Sequence, residues 1–337
     1  MAGLTHLLNF VQVWRGTTSD LNPDCMKRFL LFRRTLLLAV GLWVLGFAVQ
    51  AQPSMKEGYI NVPGGKVWYK VLGADKPGIP LLLLHGGPGS GSGSFEGFAA
   101  LADERPVILY DQLGCGKSDR PDNPRLWTME RFVTELEQVV AALGYPKLHL
   151  LGHSWGATLA TEYLLTQKPP GVVSVILSSP LLDTKLWVQD AERYIGQLPP
   201  TQQRAMRLYA ATDEPSKQAY KEAVTLYNRQ HLYRNGPMPP NPTFGTQVYE
   251  TMWGPDEAQA TGSLKSYSRA ADLKKLTLPV LYLCGRYDEA APATVAYFQK
   301  QTPNSQLVIF ENASHKAYWE VPEEYFKTVR GFLRKQK

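Results

Sequence analysis

Six short, nearly continuous apolar runs punctuate this 337-residue chain: PLLLL (80–84), PVILY (106–110), KLHLL (147–151), VVSVIL (172–177), PVLYL (279–283) and QLVIF (306–310). Runs of this length bounded by turn residues suit strands covered on both faces, the usual state of a strand in a parallel sheet. Helical patterns lie between several of them. In TMERFVTELEQVVAAL (128–143) the apolar positions 129, 132, 133, 136, 139, 140 and 143 form one stripe, with Thr128 as N-cap and Gly144 as the stop. KVWYKV (66–71) alternates instead and reads as a half-buried strand. Strands alternating with helices imply an α/β fold with a mostly parallel sheet flanked by helices. The alternation stops after Ser178-Ser179-Pro180. Residues 181–270 are strand-poor and helical in pattern, interrupted by GPMPPNP (236–242), and the sheet resumes at Pro279. They read as a helical cap above the strand ends, which leaves 52–180 and 271–337 as the α/β core.

Residues 1–51 read as an N-terminal extension rather than as fold. MKRFLLFRRTLLLAVGLWVLGFAVQAQ (26–52) begins with Lys27, Arg28, Arg33 and Arg34, continues with an apolar stretch from Thr35 to Val49, and ends in Val49-Gln50-Ala51 before Gln52. That is the layout of a secretory signal peptide with Met26 as the start. The expected location is therefore exported, periplasmic or secreted, with no stable membrane span once the signal is cut. An uncleaved N-terminal anchor is the alternative. Arg33-Arg34 also weakly resembles a twin-arginine signal. The formal charge of the whole chain is +6 and falls to +3 without residues 1–51. No basic cluster with interleaved aromatics stands out in the remainder, so a nucleic-acid partner has little support. Beyond Cys25, Cys115 and Cys284 remain; each abuts a glycine at the end of an apolar run and reads as a small buried thiol.

The chemistry concentrates at strand ends. GHSWG (152–156) sets Ser154 between a strand and a helix, with glycines where side chains would collide in so sharp a turn. A serine nucleophile needs a base, and the base an orienting carboxylate. PVLYL runs into CGRYDEA and offers Asp288; QLVIF runs into ENASH and offers His315. Glu311 is an alternative orienter. His149 points within a core strand, His231 lies in the insertion, His6 precedes the signal, and His153 is expected to face away from the site. For the oxyanion, the Trp155 N–H supplies one donor. HGGPG (85–89), directly after PLLLL, supplies the second, assigned to Gly87 with Gly86 as alternative. No metal-ligand cluster appears, and the chemistry needs no metal or organic cofactor.

Together HGGPG (85–89), DQLGCGKSD (111–119), GHSWG (152–156), WGPDE (253–257), GRYDEAAPAT (285–294) and FENASH (310–315) resemble the proline iminopeptidase family, from about Glu57 to the C-terminus. The resemblance implies an α/β-hydrolase fold and a serine aminopeptidase acting on short peptides or amino-acid amides, often at proline. It implies two carboxylates holding the substrate's α-ammonium. One, in G-P-x-E of the cap, is here Glu257; the other, after the catalytic aspartate, is here Glu289. Ala157 and Ala258 depart from the family pattern, the latter where relatives often carry an aromatic. SGSGSF after HGGPG reads as a flexible run that implies a looser P1 site. On the residues alone, a carboxylesterase or amidase with the same triad stays open, and so does a non-catalytic binding protein on this fold. The oligomeric state is not legible.

Overall fold

The computed structural model describes residues 54–256 and 258–336. The signal-peptide and start-site expectations, His6 and Glu257 lie outside the described residues. The described residues form an eight-stranded sheet: β1 (Met55–Val62), β2 (Gly65–Leu72), β3 (Leu81–Leu84), β4 (Val107–Tyr110), β5 (Leu148–His153), β6 (Val172–Ser178), β7 (Val280–Gly285) and β8 (Ser305–Phe310). Their spatial order is β1-β2-β4-β3-β5-β6-β7-β8. β1 and β2 form an antiparallel hairpin, and β2 pairs antiparallel with β4. From β4 to β8 every pairing is parallel.

The apolar runs are explained by what covers them. Leu82 and Leu84 of β3 point into one cluster, with Phe132, Leu136, Trp155 and Leu159. Leu81 and Leu83 point into another, with Phe95, Phe98, Tyr325 and Phe332. All four leucines are fully buried. Both faces are thus roofed by helices, and a polar residue at alternate positions would have no water to face.

The α-helices among the described residues are α1 (Met129–Leu143), α2 (Trp155–Thr166), α3 (Thr184–Ile195), α4 (Pro200–Ala205), α5 (Glu214–His231), α6 (Thr246–Met252), α7 (Pro292–Gln301), α8 (Ala317–Glu320) and α9 (Pro322–Leu333). The expected caps of α1 form: Thr128 accepts from the Arg131 N–H, and Gly144 closes the helix in the left-handed region. α3 to α6 lie between β6 and β7, where the described residues contain no strand. Part of this cap has its own core around Ile195, Leu198, Met206, Ala223 and Tyr227, and Ala258 packs into it. Trp187, Met252 and Trp253 instead join the main core, so the cap is seated on the sheet through its tryptophans.

One expectation changes and one is met. SGSGSF is not a loose run: Ser92–Leu101 coils into a 3₁₀ helix with Phe95 and Phe98 buried, and Asp111 Oδ1 accepts the Ser92 N–H at 2.6 Å. Apolar anchors three and six residues after Ser92 order the segment despite its glycines and serines. Among the described residues Cys115 and Cys284 are both buried and form no disulfide, as the apolar context of each implied.

Candidate active site

The register aligns the carboxyl ends of the central strands: Leu84 lies beside Gly152, His153 beside Ser178, Ser178 beside Leu283, and Gly285 beside Phe310. Loops leaving those ends converge, the usual place for chemistry in a parallel sheet. Ser154 is in the first of them, with φ 55° and ψ −120°, a strained conformation for a residue with a side chain. Its N–H is held by the Ser178 carbonyl at 2.9 Å, and its side chain makes no capping bond to α2. The flanking glycines are there for contact. A Cβ on Gly152 would lie 2.2 Å from the Gly156 carbonyl oxygen, and one on Gly156 only 1.9 Å from that of Leu84.

Asp288 and His315 meet directly. His315 Nδ1 lies 2.8 Å from Asp288 Oδ1, with Asp288 fully buried and His315 3% exposed. Asp288 Oδ1 also accepts the Ala290 N–H, and Oδ2 accepts the Ser179 hydroxyl at 2.6 Å and the Gly285 N–H at 3.2 Å. A carboxylate so fully used is fixed in orientation and fixes the imidazole in turn. Glu311 is excluded as orienter, because both its oxygens pair with Arg286 at 2.9 and 2.5 Å. Among the described residues no hydrogen bond joins Ser154 Oγ to His315. His315 Nε2 faces Glu289 Oε1 instead, at 3.4 Å. Such catalytic contacts commonly tighten only around a substrate.

Gly86 packs against the nucleophile: a Cβ there would lie 3.1 Å from Ser154 Cβ. Gly87 follows with φ 113°. Trp155 opens α2, where helix N–H groups lack intrahelical acceptors. Gln112 ties these two elements together. Its Nε2 donates to the His85 carbonyl at 3.2 Å, and its Oε1 accepts the Trp155 indole N–H at 2.8 Å. His85 accepts the Gln112 N–H on Nε2, so its Nδ1 carries the proton and donates to the Gly86 carbonyl.

The remaining histidines resolve as follows. His149 is spent on Ser174 inside the sheet, and burial lowers its pKa to about 4. His153 does not turn away from the site: its ring lies 4.6 Å from that of His315 and 5.1 Å from Tyr318. Burial, then the nearby Lys316 charge, holds it neutral well below the ordinary histidine range. His231, at the end of α5, stacks on Tyr194 at 4.0 Å and bonds the Tyr287 carbonyl. Its own carbonyl accepts the N–H of both Glu289 (3.3 Å) and His315 (3.1 Å). Ser179, Gln112 and His231 are thus supporting groups that the motifs did not single out. Ser179 carries a weak signal, as the second serine of Ser178-Ser179-Pro180 at a strand end. A backbone carbonyl such as that of His231 carries none.

The cap supplies an aromatic wall. Trp187 lies edge-on to His315 at 5.9 Å and to Trp253 at 6.4 Å. Glu289 is 4% exposed.

The family model for the α/β hydrolase fold matches residues 79–322. A proline iminopeptidase of Heyndrickxia coagulans is 43% identical over 283 residues, covering 82% of this chain and 98% of that protein. One from Levilactobacillus brevis is 37% identical and covers 80% of this chain and 94% of its own length. The solved structure of proline iminopeptidase from Mycobacterium smegmatis superposes with a TM-score of 0.76 at 32% identity, over 83% of this chain and 98% of that one.

Proposed function

The chain belongs to the proline iminopeptidase family of the α/β-hydrolase fold, and from that premise we propose that it is a serine aminopeptidase releasing N-terminal proline from short peptides or amides. The observation that carries the residue roles is the Asp288–His315 bond between the loops after β7 and β8, with the His315 ring 4.6 Å from that of His153, the neighbour of the strained Ser154. Ser154 Oγ attacks the carbonyl of the N-terminal residue and gives its proton to His315. His315 passes that proton to the leaving amine, while Asp288 holds the imidazole and stabilises its positive charge. The Gly87 and Trp155 amides receive the oxyanion. Water then attacks the acyl-enzyme and frees the amino acid.

Glu289 is the amine clamp in this reading, with Glu257 as its partner from the cap. Support comes from the burial of Glu289 and its 3.4 Å approach to His315 Nε2, which put a carboxylate beside the reacting atoms. A substrate ammonium there forms a charge-assisted bond in a dry cleft and orients the carbonyl. Trp187 and Trp253 offer an apolar wall to a pyrrolidine ring.

The test compares prolyl p-nitroanilide with its N-acetylated form and with simple prolyl-free esters, in the wild type and in Glu289→Gln. N-acetylation is expected to abolish turnover. The substitution is expected to raise KM for the free-amine substrate by ~10- to 100-fold and that of the esters far less. Equal turnover of the acetylated substrate would instead leave a general esterase or amidase.

Residues 26–51 are proposed as an export signal, on the strength of the basic stretch, apolar stretch and Val49-Gln50-Ala51 in sequence. The mature protein is expected to begin at Gln52. Intact-mass measurement of the protein from its native envelope fraction checks this, and retention of residues 26–51 would refute cleavage.

A further inference from the structure

Beside the catalytic histidine lies a groove of about 310 Å³ that the mechanism above does not use. Its floor comes from the segment after the oxyanion loop, including Ser90 and Ser94. The proline-rich bend of the cap, through Pro240 and Asn241, forms one wall, and Lys316 and Trp319 form the other. The walls are pinned. Asn241 Nδ2 donates to the Ser90 carbonyl at 2.7 Å, and the Trp319 indole N–H donates to the Ser94 carbonyl at 2.9 Å. The groove is therefore a built feature joining cap and core beside the oxyanion loop.

Its one charged lining group is Lys316, the residue immediately after His315. Lys316 is half-buried, with its ammonium 3.3 Å from His153 Nε2 and 5.6 Å from the centre of the Trp319 ring. Among the described residues it has no carboxylate partner. The nearby Glu320 is turned away, accepting from the Ser314 hydroxyl and backbone N–H and from the Arg234 N–H. A neutral imidazole accepts one of the ammonium's protons but cancels none of its charge. A partly desolvated cation of this kind gains most from an anion.

The reaction itself brings an anion to this side. His315 must reach the leaving amine to protonate it, so the released peptide starts within hydrogen-bond distance of His315. A chain advances at most ~3.6 Å per residue. The α-carboxylate of a one- or two-residue leaving group therefore lies close to that nitrogen, where the next residue of the chain is Lys316.

We propose that this groove is the leaving-side subsite and that the Lys316 ammonium binds the free α-carboxylate of dipeptide or tripeptide substrates. The proposal rests on the aminopeptidase reading above and names the substrate class of that site. The apolar ring of Trp319 and the prolines receive the side chain of the released residue, and the ammonium measures the distance to the chain end. Short peptides with an unblocked C-terminus are then favoured over their amides.

The experiment measures kcat/KM for Pro-Gly and Pro-Gly-Gly beside their C-terminal amides, with prolyl p-nitroanilide as a carboxylate-free reference. The wild type is expected to prefer the free acid over the amide by ~10-fold or more at one of the two lengths, mainly through KM. Lys316→Met is expected to bring that acid-to-amide ratio close to one, and Lys316→Arg to keep most of it. A ratio near one in the wild type, or the same ratio in wild type and Lys316→Met, overturns the proposal. If the wild type cleaves no prolyl p-nitroanilide, it is the aminopeptidase reading that fails. Because the readout is a ratio within each variant, a general loss of folded protein does not imitate the result.

Discussion

Ser154→Ala is expected to lower kcat/KM for prolyl p-nitroanilide by ~10⁴-fold or more while the folded protein keeps its unfolding midpoint. The size of the effect follows from covalent catalysis: without Oγ there is no acyl-enzyme, and His315 has no proton to relay. What survives is the contribution of the oxyanion donors and substrate positioning, which in serine peptidases still exceeds the uncatalysed rate. The fold should be indifferent, because the hydroxyl caps no helix and the Ser154 backbone is held by the Ser178 carbonyl. Steady-state kinetics with active-site titration of the wild type checks the first part, and denaturant unfolding checks the second. Activity within tenfold of wild type would remove Ser154 from the mechanism.

Gly156→Ala is expected to be the most damaging single methyl group in the core. The added Cβ would sit 1.9 Å from the Leu84 carbonyl oxygen, 2.6 Å from its carbon and 2.8 Å from the His85 oxygen. All three are backbone atoms at the end of β3, so no side chain can rotate out of the way. Relief requires α2 to move off the sheet, and the Ser154 turn and the His85–Gly87 loop would separate with it. Overpacking of this kind typically costs ~1–3 kcal/mol and more where backbone must yield. The urea midpoint, followed by tryptophan fluorescence, should fall accordingly, and the remaining folded protein should turn over poorly. Gly331→Ala in α9 is the contrast, since nothing lies within 4 Å of its added Cβ. Removing a helical glycine there should be neutral or slightly stabilising. Similar stability of the two variants would contradict the close approach of α2 to β3.

The Asp288–His315 pair and the Ser154 turn were legible in the sequence because they needed only local reading. Each member follows an apolar run that could be seen as a strand, and the order serine, aspartate, histidine fits this topology. Strand ends were less legible. β5 continues through Gly152 and His153, and β7 through Cys284 and Gly285. Those residues are recruited by backbone pairing rather than by side-chain apolarity. β1 escaped notice because its outer residues are largely exposed and it is defined by its partner β2. His153 was misread because the bend of the turn shows which way the serine points, whereas its neighbour's direction depends on Tyr318 and Phe95 packing from distant segments. SGSGSF was misread by weighing glycine and serine above the two phenylalanines that anchor it. Ser179 and Gln112 act through partners 109 and 43 residues away, a separation no local pattern encodes.

The double acceptor at the end of α5 has a mechanical consequence. One carbonyl, that of His231, holds the main-chain N–H groups of the residue beside the acid and of the base itself. The far side of the cap is fastened as well, with Gly245 bonded to Gly89 and Asn241 to Ser90, on the loop proposed to cradle the oxyanion. A hinge placed at either seam cannot swing freely. Opening the first unseats proton transfer, and opening the second unseats charge stabilisation, each leaving polar backbone without partners. Gate and engine share their bolts: a cap pried wide enough to admit a folded polypeptide would at the same moment disarm the machinery that could cut it.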